Sequence, residues 1–297
     1  ICPDRSLTLQ VLGSGGPIAD DERASSAYLL WYQDQAIALI DIGGGSFQRF
    51  GAAGADLEHL ALIGISHYHT DHSADLPALM KGAHFSQRTE PLPILGPGNT
   101  KRDLADISAS PRLSQLFPPL QDYLESLFGA DKGAYRYLSG LLSGEDGLFS
   151  LQQHDLDASE GRVTEVTIAN PHLKVTAIGV HHGIVPAIAY RLSITGKSIV
   201  FSGDQSRFNP HMSDFSQEAD VLIAHMAIPQ GASGVARRLH RQPEDWAILA
   251  SEANIGTLLL SHWMQRSLAT VATDLPTMQQ KYTGSILIAQ DFSCIVL

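Results

Sequence analysis

The chain has 297 residues, 44% of them hydrophobic and 17% charged, with a formal net charge of −11. That is enough apolar sequence to pack one large core, and no apolar run reaches the roughly 20 residues of a membrane span, so no membrane partner is expected. The acid excess argues against a broad nucleic-acid footprint, which needs a lysine- and arginine-rich surface to neutralise phosphates, although a local basic groove can exist within an acidic whole.

The first half is strand-rich. Residues 7–12 alternate and run into the turn Gly13-Ser14-Gly15-Gly16-Pro17. Residues 27–32 and 36–42 form a strand pair across Gln33-Asp34-Gln35. Gly43-Gly44-Gly45 and a short helix at 46–54 follow, then an apolar strand at 60–65. Residues 71–84 are expected to be helical despite Pro77. Residues 100–156, with Pro111, Pro118 and Pro119, read as a helical insertion or cap, with helices near 120–128 and 134–142; such segments often cover a site. Strands return at 163–169, 173–180, 187–194 and 198–201. The end of the chain alternates: strand 221–224, helix 243–253, strand 257–260, helix 267–281, and closing strands at 286–288 and 295–297. Strand runs followed by strands with helices in each half predict two sheets with helices outside, in one domain over 1–297.

The chemistry concentrates after the strand at 60–65, in Ser66-His67-Tyr68-His69-Thr70-Asp71-His72. Histidine and aspartate supply the nitrogen and oxygen ligands that zinc takes, and a cluster this dense can serve two metals. Other ligands are expected where further apolar strands end. Three places fit: His181-His182-Gly183, Ser202-Gly203-Asp204 and Ser261-His262-Trp263. Of the first pair His182 is preferred, because Gly183 lets the backbone turn closely behind it. Asp204 could bridge both metals. Asp41, closing 39–42, is suited to orienting a ligand histidine from behind. His59, His84, His154, His172 and His211 read as structural or surface residues. Tyr68 and Trp263 either wall the pocket or pack in the core.

Cys2 and Cys294 are the two cysteines, one near each end. A disulfide joining the termini implies an oxidising compartment; two free thiols in a cytosolic protein is the other reading. The chain opens on Ile1 rather than methionine, so a leader removed ahead of it is an expectation, with no signal segment visible.

The His67-x-His69-x-Asp71-His72 motif with His182, Asp204 and His262 resembles the metallo-β-lactamase superfamily, and within it the ribonuclease Z and arylsulfatase-like branch. Leu12-Gly13-Ser14-Gly15-Gly16-Pro17 with Arg23-Ala24-Ser25-Ser26, the Ala189-Tyr190-Arg191 stretch after His182, and Leu259-Leu260-Ser261-His262 followed by Arg266 carry the same resemblance. It implies an αββα sandwich of two mixed sheets with helices on the outer faces, holding two Zn2+ ions, with Mn2+ or Fe also possible. His67, His69 and His182 would hold one metal and Asp71, His72 and His262 the other, with Asp204 between them. Hydroxide held between the metals would attack an ester, with Asp71 in the catalytic centre.

The departures bear on substrate. Ribonuclease Z carries His-Glu-Ala-Thr where this chain reads His225-Met226-Ala227-Ile228, so the glutamate is missing. Its catalytic histidine matches His240, the expected general acid, which His225 would orient unless it touches substrate. No basic arm for transfer RNA is evident. The pattern looks closer to exported arylsulfatase-like hydrolases. That similarity favours a Cys2–Cys294 disulfide and a periplasmic or secreted location over a cytoplasmic one. The expected function is hydrolysis of a small anionic ester, an aryl sulfate or phosphodiester, by a monomer or homodimer. The alternatives are a ribonuclease Z-type tRNA 3′-endonuclease, a lactonase or other carboxylic-ester hydrolase, and a metal-binding protein without turnover.

Overall fold

The computed structural model describes residues 2–98, 117–206 and 209–297. The first sheet is laid down by β1 (Leu7–Gly13), β2 (Ala27–Tyr32) and β3 (Gln35–Ile40), an antiparallel meander. Helix α1 (Ser46–Ala52) then leads to β4 (Leu62–Gly64), which lies parallel to β3. The chain continues through α2 (Thr70–Ser73) and α3 (Leu76–Lys81) to β5 (Leu92–Pro97), parallel to β4. Helices α4 (Leu120–Phe128) and α5 (Gly140–Ser143) precede β6 (Leu151–Leu156), parallel to β5.

The second sheet starts with antiparallel β7 (Val163–Val166), β8 (Leu173–His182), β9 (Val185–Ile194) and β10 (Lys197–Phe201). Helix α6 (Met212–Ser216) leads to β11 (Val221–His225), then α7 (Gly234–Leu239) and α8 (Pro243–Glu252) to β12 (Thr257–Ser261). Helices α9 (Gln265–Leu268) and α10 (Val271–Lys281) lead to β13 (Ser285–Ile288). From β10 to β13 neighbouring strands are parallel. The last strand, β14 (Cys294–Val296), returns to the first sheet beside β1. The strand orders are β14-β1-β2-β3-β4-β5-β6 and β13-β12-β11-β10-β9-β8-β7, so both sheets pass from antiparallel to parallel pairing along their length.

The layers follow from side-chain alternation along each strand. In β2, Tyr28 and Leu30 join Leu9, Ile40, Tyr190 and Leu192 in the core between the sheets. Leu29 and Trp31 face the other way, toward Phe50, Leu79, Leu124 and Phe128 of the helices. Across the molecule Ala187 and Ala189 of β9 pack with Met212, Trp246 and Met278. The result is the αββα sandwich of two mixed sheets with outer helices, as expected from the sequence.

Within the insertion expected at 100–156, residues 100–116 lie outside the described residues. The rest is part of the sandwich: Leu120, Leu124 and Phe128 are fully buried in the helix layer of the first sheet, and 151–156 is that sheet's edge strand beside β5. Strand β5 was not expected, because Pro93 and Pro97 flank its apolar centre and proline cannot donate to a ladder. The helix expected over 267–281 divides into α9 and α10.

Cys2 and Cys294 form a disulfide across 292 positions, with Cα atoms 5.7 Å apart. It pins the N-terminal segment to β14. Such a bond removes freedom mainly from the unfolded chain. Reduction, or Cys294→Ser, should therefore lower the unfolding free energy by about 2–5 kcal/mol, seen as a lower urea midpoint. An unchanged midpoint in reductant would show that β-pairing alone holds the ends.

Candidate metal centre

Each chemical residue of the sequence motif sits where a strand stops. Asp41 follows β3, His67 to His72 follow β4, His182 ends β8, Asp204 follows β10, His225 ends β11 and His262 follows β12. In open sheets with parallel strands, loops at the carboxyl ends are where ligands bind. Two of these residues have backbone in the left-handed region, Asp41 with φ 59° and His262 with φ 54°. Such conformations cost free energy and persist where surrounding packing enforces them. Gly43 is required here for space, since a Cβ would fall on the Asp71 carbonyl oxygen.

The histidines and aspartates converge. His67 Nε2 and His69 Nδ1 face each other at 3.0 Å, and with His182 they form one group of donor atoms within 4.8 Å of one another. His72, Asp204, His225 and His262 form a second, and His182, Asp204 and His240 a third, so Asp204 is shared. Asp71 joins through Oδ2, 3.1 Å from His262 Nε2 and 3.4 Å from His72 Nε2. Asp204 lies 3.4 Å from His262 Nε2 through one oxygen and 3.7 Å from His182 Nε2 through the other.

These residues fit a metal. His72 Nε2 and His182 Nε2 are buried with no hydrogen-bond partner, an arrangement that costs free energy unless something electropositive accepts the lone pairs. Nitrogens sharing one tetrahedral zinc stand about 3.3 Å apart for bonds of about 2.05 Å, close to the His67–His69 separation. Burial drives the His67 imidazole well below its ordinary pKa and His182 down to about 4, so both are neutral at pH 7, as ligands must be. Burial opposes charge on His72 too, but Asp41 and Asp71 outweigh it and raise its pKa well above the ordinary value. Asp204 and Asp71 are held below the ordinary carboxylate range, because surrounding histidines outweigh burial.

The opposite ring nitrogens are tied down. Asp41 Oδ2 accepts from His72 Nδ1 at 2.7 Å, and its carboxylate also takes the Ser66 N–H and hydroxyl at 2.7 and 2.9 Å. His182 Nδ1 donates to the Leu239 carbonyl at 2.9 Å. His182 is buried in the cluster, whereas His181 turns to Ser206 Oγ at 2.7 Å. Gly183, with φ 61°, makes the tight reversal behind it.

His240 approaches Asp204 Oδ2 at 3.8 Å, and its Nδ1 has no hydrogen-bond partner. Burial lowers its pKa to about 3. His225 differs from expectation. Its Nδ1 lies 2.8 Å from Asp204 Oδ1, its Nε2 3.3 Å from the Tyr28 hydroxyl, and its ring neighbours are Tyr28, His72 and His262. It therefore braces Asp204 and is a further potential donor, rather than orienting His240. Trp263 is fully buried in the core, while Tyr68 stacks on Tyr123 at 4.5 Å. Phe117, 6.0 Å from the His69 ring, was not expected at the site. A lone phenylalanine before Pro118-Pro119 carries no periodic signal.

A beta-lactamase superfamily domain matches residues 128–263, and the model for the anti-Pycsar protein Apyc1 matches residues 7–131. These matches show a metallo-β-lactamase superfamily domain, the domain of a class of metal-dependent hydrolases. Among its relatives is ribonuclease Z of Mycobacterium bovis (strain BCG / Pasteur 1173P2), 25% identical over 268 residues, 87% of this chain and 86% of the relative. The fold is shared with the metallo-β-lactamase fold protein YhfI from Bacillus subtilis (TM-score 0.69, 21% identity, 97% and 98% of the two chains covered). It is also shared with human tRNase Z, short form (TM-score 0.68, 20% identity, 97% and 98% covered).

These relatives overturn the expectation, drawn from net charge, that nucleic acid is no partner for this chain. Net charge sums the whole surface and does not locate the cations that would meet a phosphate.

The Asp41 contacts predict a measurable effect. Asp41→Asn should weaken metal retention by about 10–100-fold, read by competition with a chromogenic chelator. Unchanged retention would show that Ser66 and packing alone orient His72.

Proposed function

We propose that the chain is a metal-dependent phosphodiesterase of the ribonuclease Z type, cleaving RNA with two zinc ions. One observation carries this reading: donor groups of His67, His69 and His182 and of His72, Asp204, His225 and His262 meet where strands of both sheets end, and Asp204 also groups with His182 and His240. The ribonuclease Z relatives, matched over most of the chain, support RNA as the substrate.

His67, His69 and His182 would hold one ion, and Asp71, His72 and His262 the other, with Asp204 reaching both. Bound there, the ions supply an activated water and neutralise charge on the phosphoryl oxygens. Asp41 and the Leu239 carbonyl keep His72 and His182 facing inward, which fixes the donor set before substrate arrives. Asp204 is itself steadied by His225. His240 stands beside Asp204 with its Nδ1 uncommitted, and we assign its ring, which burial keeps neutral, an N–H hydrogen bond to the leaving oxygen.

The Cys2–Cys294 bond favours a second reading. Disulfides persist in oxidising compartments, and a periplasmic or secreted enzyme would meet a small aryl phosphodiester or aryl sulfate rather than maturing transfer RNA.

The zinc-loaded protein should cleave a precursor transfer RNA at the 3′ side, with less turnover of aryl sulfate. The opposite ranking would sink the RNA reading in favour of the second. His69→Ala and Asp71→Ala should lose bound metal, measured by elemental analysis, together with phosphodiester turnover; full metal content and full turnover would remove them from the centre. For His240→Ala, the loss should be greater for aryl phosphodiesters with poor leaving groups than with good ones, and equal losses would withdraw the assignment.

A further inference from the structure

We propose that the face carrying Lys81, Phe85 and Tyr137 binds a single-stranded segment of the RNA substrate, an inference that rests on the phosphodiesterase reading above. Lys81 ends α3, and the Gly82–Phe85 3-10 turn follows it directly. Its ammonium lies 5.7 Å from the centre of the Phe85 ring and 5.2 Å from that of Tyr137. Both rings are open to solvent, Phe85 at 79% and Tyr137 at 59% exposure. Phe85 has the highest exposure of the large hydrophobic side chains among the described residues.

Two exposed rings flanking a cation match what unpaired RNA requires. Bases stack on aromatic faces without regard to sequence, and the lysine meets the backbone phosphate between them. The surrounding charge agrees. His84 and Arg136, adjacent in sequence to the two rings, are exposed. Among the described residues, neither these two nor Lys81 has a carboxylate within salt-bridge distance. In a chain of net charge −11, Lys81 and Arg136 are thus two cations without an ion pair beside these rings, with Asp56 and Glu58 on the groove side of Phe85. The carboxylates Asp122, Glu125 and Glu145 of the same region line a separate depression with Lys132.

Phe85 also walls a groove of about 450 Å³ with Phe47, Phe50 and Leu79, which Asp56 and Glu58 line as well; its apolar side offers a ring face on which a splayed base could stack. The face connects to the centre through α2 and α3. From His72 to Lys81 is nine residues of mostly helical chain, about 14 Å of rise. A short unpaired stretch beside the scissile bond would reach it.

The test uses zinc-loaded protein and two substrates: a precursor transfer RNA with an unpaired 3′ trailer, and a bis-aryl phosphodiester too small to reach the face. Phe85→Ala with Tyr137→Ala should raise KM for the RNA at least about fivefold, leaving kcat and small-substrate turnover unchanged. Lys81→Ala should reduce the slope of log KM against log salt by about 0.7. Normal RNA kinetics and salt slope in both variants, with wild-type RNA cleavage intact, would overturn the proposed face alone. Absence of RNA cleavage in the wild type, with the bis-aryl phosphodiester still hydrolysed, would overturn the RNA reading and this face with it. Anionic vesicles binding wild type but not Lys81→Ala, with RNA kinetics unaffected, would reassign the face to a membrane surface and overturn the proposal.

Discussion

The structure turns on the burial of many lone pairs where strands of the two sheets end together. His67, His72, His182 and His262 are almost wholly removed from water, and Asp71 and Asp204 nearly so. Unpaired imidazole nitrogens and carboxylates in such a place carry a desolvation cost of several kcal/mol. Part of it is offset inside the cluster, where His72 and His262 take up charge opposite Asp71 and Asp204. The remainder, expressed in the neutral His182 with its Nε2 unpartnered, is what a bound cation would relieve. The two sheets accommodate this because the donors enter from strand ends on both sides of the interface, and the apolar core begins directly behind them, at Tyr190 and Ile65.

That arrangement explains why the centre was legible in the sequence. A strand buried on both faces reads as a continuous apolar run, and the residue after it stands out when it is histidine or aspartate. His67, Asp204 and His262 were all found that way, and Asp41 by the same logic. The choice between His181 and His182 came from Gly183, whose positive φ makes the reversal after them, while strand alternation sends the two rings to opposite sides. What escaped was contact made through tertiary packing. His225 sits in β11 like any strand-end histidine, and only the approach of β10 places Asp204 against it. Phe117 and the Leu239 carbonyl have no local pattern at all.

The fold was legible for a related reason and incomplete for another. Alternation in β1, the short polar turn between the apolar runs of β2 and β3, and the closely spaced apolar runs of β8 to β10 mark the antiparallel halves of both sheets. The parallel halves depend on short strands between helices, and Leu92–Pro97 is punctuated by prolines that mask it. Residues 120–128 were expected to be helical, but sequence alone did not show that Leu120, Leu124 and Phe128 complete the helix layer over the first sheet. Charge misled in the same way. A sum of −11 describes the average surface, whereas recognition depends on whether a few cations are free of carboxylates and close to one another.

The substitution of Met226 for the glutamate expected in a ribonuclease Z has a specific consequence for His240. Met226 is almost fully buried and packs with Trp246 and Trp263 in the outer core of the second sheet. It therefore fills space rather than supplying a carboxylate. The acidic group nearest His240 is Asp204, at 3.8 Å, and Asp204 is already engaged by His225 and faces His182 and His262. His240 thus draws on a carboxylate that the metal centre also uses. In the proposed two-metal reading, ions held by Asp204 would draw its charge away from the neighbouring His240 ring, coupling the group assigned to the leaving oxygen to occupancy of the centre. A dedicated glutamate would separate those two duties; here a single aspartate joins them.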